Sequence, residues 1–81
     1  MKVYVVTSLI ENAEVGAEVN VIGIRKTKQE AYLLLIDQLK NVKQMYEEED
    51  INFDIQGSDE YIQISANEDT ITLEYQESEV E

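Results

Sequence analysis

Apolar residues crowd "KVYVVT" (2–7) and "EVNVIGI" (18–24), β-branched and aromatic in the first and β-branched in the second, which predicts two β-strands. The small and polar residues of "SLIENAEVGA" between them suit a long hairpin loop. A helical period follows. From Lys28 to about Tyr46, Tyr32, Leu35, Ile36, Leu39, Val42 and Tyr46 recur at three- and four-residue spacing, which predicts a helix with one buried stripe, widened by Ala31, Leu34 and Met45. Thr27 stands three residues before Glu30, the capping-box spacing for a helix start. Past "EEED" the period becomes two: Ile51, Phe53 and Ile55, then Ile62 and Ile64, then Ile71, Leu73 and Tyr75 alternate with polar residues. These runs predict strands at about 51–56, 61–66 and 70–76, with turns at Gly57-Ser58-Asp59 and "ANED". The terminal "ESEVE" is expected to fray.

The order is therefore ββαβββ. It predicts an α+β, two-layer fold in which one α-helix packs an antiparallel β-sheet, as a single domain over residues 1–81. A chain of this length buries only about 60 to 65% of its unfolded surface, so the core is small. The first two strands depart from a one-sided pattern. Val3 and Val5 alternate with Tyr4 and Val6, and Val19 and Val21 with Ile22 and Ile24, yet one helix covers only one side of a sheet. Leu33 also lies off the helix stripe. Loop cover or tolerated exposure accounts for this excess. A sharper expectation is a self-association patch formed by Tyr4, Val6, Ile22 and Ile24, with Leu33, that meets a second copy in a homodimer.

Charge changes the picture most. The 81 residues carry 18 acids against 6 bases, net −12, and the imbalance is segregated. The first 43 residues hold five acids and all six bases; the remaining 38 hold thirteen acids and no base. An antiparallel meander would gather these acids at its two ends. Glu47, Glu48, Glu49 and Asp50 would neighbour Glu68 and Asp69; Asp59 and Glu60 would neighbour Glu77, Glu79 and Glu81; Asp54 and Glu74 would lie on the polar face between. Two rims about 17 to 20 Å apart follow from a six-residue strand. Acids in such places keep a small protein in solution and discourage edge pairing. They also suit recognition of a basic protein surface, because two negative rims imitate rows of phosphates. Self-repulsion predicts modest stability that improves with salt.

Several chemistries lose their residues. With no cysteine and no histidine there is no thiolate nucleophile, no disulfide, no thiolate-bound zinc and no imidazole base. Ser8, Ser58, Ser65 and Ser78 have no histidine to activate them, and Gly16, Gly23 and Gly57 form no phosphate-cradling loop. Carboxylate pairs on exposed strand ends have nothing to part their pKa values, so no enzyme is expected. Hard cations take carboxylate oxygens, but the D-x-D-x-D-G spacing is missing, and neither a metal nor any other cofactor is expected. Arg25, Lys26, Lys28, Lys40 and Lys43 are too few to grip nucleic acid against the overall field, and serve better as partners for Glu30 and Asp37. No stretch reaches the roughly 20 apolar residues of a membrane span, so no membrane partner is expected and the reading is cytoplasmic.

"KVYVVTS", an acidic variable loop and then "VIGIRKTKQEAYLLL" resemble a pattern found among small proteins of phages and prophages: a K-V-Y-V-V-T strand, a second strand ending in I-G-(I/V), and a T-K-x-E-A helix entry. The similarity spans residues 2 to about 40, and the acidic half departs from it. It implies a mobile-element origin and a place in the host cytoplasm. By class analogy it also implies an inhibitor of host nucleic-acid machinery, of the anti-restriction or anti-CRISPR kind that mimics DNA. The function expected is thus non-catalytic binding of a basic, nucleic-acid-handling host protein through Glu47, Glu48, Glu49, Asp50, Asp54, Asp59, Glu60, Glu68, Asp69 and Glu74. The alternative is a self-associating structural or accessory protein whose acids serve only solubility.

Overall fold

A computed structural model describes residues 1–58, 60–67 and 69–80. The elements run β1 (Lys2–Asn12), β2 (Gly16–Arg25), α1 (Lys28–Glu48), β3 (Asp54–Gly57), β4 (Tyr61–Ala66) and β5 (Asp69–Glu79). One helix packs on a five-stranded antiparallel sheet, the α+β arrangement the periodicity predicts. The strand order in space, which alternation leaves open, is β2-β1-β5-β4-β3. β1 thus pairs on both sides, with β2 and with the carboxyl-terminal β5.

That central place explains two departures from the sequence pattern. The segment expected as a long loop is strand as far as Asn12 and again from Gly16, because Ser8 to Asn12 pair with Asp69 to Leu73 on one side and Gly16 to Asn20 on the other. The tail expected to fray is also strand: Lys2 faces Glu79, and the Val80 amide donates to the Met1 carbonyl at 2.7 Å. Two-sided pairing satisfies backbone groups that composition alone would assign to a loop. β3 is shorter than expected. Ile51 to Phe53 leave the ladder to close the end of the helix, where Ile51 and Phe53 pack against the core.

The helix starts as its spacing requires. The Thr27 hydroxyl accepts from the Glu30 amide at 3.1 Å and donates to the Glu30 carboxylate at 3.2 Å. Its buried stripe is Ala31, Leu35 and Tyr46, flanked by the half-buried Leu34, Leu39 and Val42. Tyr32 and Met45, expected within the stripe, are exposed. The stripe meets Val6, Ile62, Ile64, Ile71 and Leu73 of the sheet. Complete burial of Val6, Leu35, Ile64 and Leu73 supplies about 1.5 to 3 kcal/mol each. Gly57 closes the β3–β4 turn, where an added Cβ would stand 2.4 Å from the Tyr61 carbonyl oxygen.

Tyr4 and Val6 therefore lie under the helix, and the opposite face of β1 is the open side of the sheet, with no helix over it, although Val3 there is buried and Val5, Thr7 and Leu9 are half-buried. A β-bulge where β2 passes Val6 and Thr7 shifts the alternation by one: Ile22 and Gly23 both face the helix, and Ile24 joins Val19 and Val21 on the open side. The expected self-association patch is corrected on this ground. Tyr4, Val6 and Ile22 are core residues, Ile24 is on the open face, and Leu33 is exposed on the helix layer, so the five share no surface.

Candidate functional site

Three segments converge where the helix ends. The last helical turn carries Glu47 and Glu48 with no base, Glu49 caps it, and Asp50 takes a left-handed backbone, φ 59°. The Asp50 amide donates to the Glu47 carbonyl at 3.2 Å and the Ile51 amide to the Tyr46 carbonyl at 2.9 Å, a Schellman closure that throws Ile51 back onto the core. Beside it is the tip of the β1–β2 hairpin. The Asn12 side-chain oxygen accepts from the Glu14 and Val15 amides at 2.8 and 3.1 Å, and its Nδ2 donates to the Asp69 carboxylate at the start of β5. One side chain thus shapes the hairpin and ties it to the third segment.

A cavity of about 430 Å³ lies among these segments. Ile10, Met45, Ile51 and Ile71 make its walls apolar, and Glu18, Glu49 and Asp69 supply charge around it. Tyr46 also lines it and is only 4% exposed. Burial raises the Tyr46 phenol above its ordinary value of 10.0, and the negative charges of Asp69 and Glu49 push the same way.

Glu47, Glu48, Glu49, Asp50 and Asp69 come together at this end as the meander predicts. They are joined by Glu14 and Glu18, which sequence reasoning assigned to an ordinary loop and strand. Asp54 starts the edge strand β3 opposite Ser65, and Glu74 lies on the open face opposite Thr7 and Tyr61. Asp59, Glu68 and Glu81 lie outside the described residues.

The second rim differs. Glu60 and Glu77 border a groove with Lys28, Glu77 is 3.6 Å from the Lys2 ammonium, and Glu79 is 3.4 Å from the amino terminus. Arg25 pairs opposite Tyr4 at the same end. Bases from the first half of the chain therefore stand beside Glu60, Glu77 and Glu79, the described acids of this rim. The cause is topological: pairing β1 against β5 brings Lys2 and the amino terminus to the end of β5. The helix dipole adds to the asymmetry, with its negative end at the rim of Glu47 to Asp50.

Asn12 and Tyr46 were missed as site residues. The signal for Asn12 was present, since an Asn four residues before Gly16, which has φ 97°, marks a turn closed by its own side chain. Tyr46 read as core, and it is core on all but the edge that meets the cavity. Among the described residues no group of three carboxylates converges to hold a metal ion, and no helix is long and apolar enough to cross a membrane. No protein-family model, curated protein or solved structure matches the chain.

Proposed function

We propose that this chain is a non-catalytic binding protein of the phage type, which presents its acidic end to the basic surface of a host protein that handles nucleic acid. It occupies that surface in place of phosphates, as inhibitors of restriction or CRISPR systems that mimic DNA do. One observation carries the reading. Glu47, Glu48, Glu49 and Asp50 stand at a helix carboxyl terminus with no base in the last turn, where the dipole disfavours acids, and Asp50 occupies a left-handed position that suits glycine. Charge kept where local physics opposes it is the signature of a site under a demand other than stability.

The test is capture from bacterial lysate by the immobilised chain at low and high salt, followed by competition between the captured protein and duplex DNA. The reading expects a basic, DNA-binding partner, released by salt and lost with the Glu48→Lys/Glu49→Lys variant but retained with Glu77→Lys. A partner held equally at both salts, or by both variants, overturns it.

A second reading has its own support. β2 is an edge strand whose outer side is unpaired, and Val19, Val21 and Ile24 on the open face are 64%, 64% and 57% exposed. The strand carries Glu18 near its start and Arg25 at its end, so antiparallel pairing with a second copy would bring opposite charges together at both ends. Sedimentation tests this homodimer: the wild type would sediment as a dimer and Val21→Glu as a monomer. A monomeric wild type removes it.

A further inference from the structure

We propose that the cavity at the acidic end receives an arginine side chain of the basic partner, an inference that rests on the function proposed above. Acids alone would not point to such a ligand. The cavity falls within the size range of about 300 to 1,000 Å³ typical of ligand pockets, and its walls include Ile10, Met45 and Ile71 beneath Glu18, Glu49 and Asp69. Tyr46 lines it while 4% exposed as a residue, and no buried side-chain polar atom lacks a partner among the described residues, so a hydroxyl unpaired within the protein stands open to solvent through the cavity. A polar group at the edge of an apolar cavity offers a hydrogen-bonding site that a ligand group can take over from water.

Arginine matches each part. Its methylenes lie along apolar walls while its charged head stays near the rim. Its planar guanidinium presents five donors, against several carboxylates and a phenol oxygen as acceptors. Lysine offers a compact, strongly hydrated charge and fits the spread of acceptors less well. At neutral pH the phenol keeps its proton, so Tyr46 adds an acceptor without adding a charge.

The test is an NMR titration of the full chain with an acetylated Ala-Arg-Ala amide and with its citrulline counterpart, which has the same shape without the charge. The proposal expects saturable shifts of the Ile10, Met45 and Ile71 methyl groups with the arginine peptide, and binding about tenfold weaker with citrulline. Met45→Trp places bulk on the cavity wall from an exposed helix position and should abolish the shifts of Ile10 and Ile71. The Glu18→Gln/Glu49→Gln variant, altered only at exposed sites, should weaken them about tenfold and serves if the tryptophan variant does not fold. Equal binding of both peptides overturns the proposal, as do shifts confined to the amides of residues 47–50. The two readings separate cleanly. Loss of partner capture in Glu48→Lys/Glu49→Lys but not in a folded Met45→Trp keeps the acidic-end function and rejects the arginine cavity. Saturable arginine binding without capture of a basic partner does the reverse.

Discussion

Asp50 sets the direction in which the chain leaves the helix, and it does so in a backbone conformation that costs a non-glycine residue about 1 kcal/mol. Its carboxylate also faces the negative end of the helix dipole. Asp50→Gly should therefore raise the unfolding free energy by about 1 kcal/mol, read from the urea midpoint, while weakening capture of the basic partner. An unchanged or lower midpoint would remove the argument that this position is held against local preference. Tyr46 yields a pH prediction. Because its folded-state pKa is raised above 10.0, the folded chain retains the phenolic proton longer than the unfolded chain does. The resulting stability is fully present below pH 10.0 and is lost as pH rises through the folded value. The gap between the urea midpoints of wild type and Tyr46→Phe should hold constant below pH 10.0, and the wild-type midpoint should fall relative to that of Tyr46→Phe as pH rises above it; a gap independent of pH would remove the argument.

Among the elements, β5 departs furthest from its sequence pattern. Glu77 to Glu79 look like a polar tail, yet they pair with Lys2 to Tyr4, and the Tyr4 hydroxyl donates to the Glu77 carboxylate at 3.3 Å. Removing residues 77–81 should lower stability by about 1 to 2 kcal/mol, because several ladder bonds on β1 lose their partners. The exposed ion pairs from Lys2 and the amino terminus contribute little to that loss. A truncated chain with an unchanged denaturation midpoint would mean that this end of β5 is held by nothing. The helix behaves more simply: Leu35→Ala empties a fully buried position and should cost about 3 kcal/mol, a large share of the stability of so small a core.

At the scale of the whole molecule, charge is polar along a body 43 Å long and 18 to 23 Å across. Among the described residues, one end gathers acids with no base in the last helical turn; the other sets Lys2, Lys28 and the amino terminus beside Glu60, Glu77 and Glu79. Repulsion is thus concentrated rather than spread. Moderate salt should raise the melting temperature by about 5 °C as it screens the acidic end. The Glu48→Gln/Glu49→Gln variant should show a smaller rise than Glu77→Gln, because Glu77 is already paired. Equal salt responses would mean that the charge asymmetry has no energetic weight.

The helix with its Thr27 cap, the meander from β3 to β5 and the gathering of Glu47 to Asp50 beside Asp69 were all legible in the chain, because periodicity and capping act over a few residues. Pairing between distant segments carries no such local sign. The alliance of β1 with β5 extended two strands, brought Lys2 and the amino terminus beside Glu77 and Glu79, and placed Tyr4 and Val6 inside. The bulge at Ile22 then inverted the faces of β2, since one extra residue reverses a period of two. Tertiary structure alone joined Asn12, Tyr46 and Glu18 to the acids. Asn12 reaches Asp69 across 57 residues of chain, a closure that no stretch of the amino-acid pattern records.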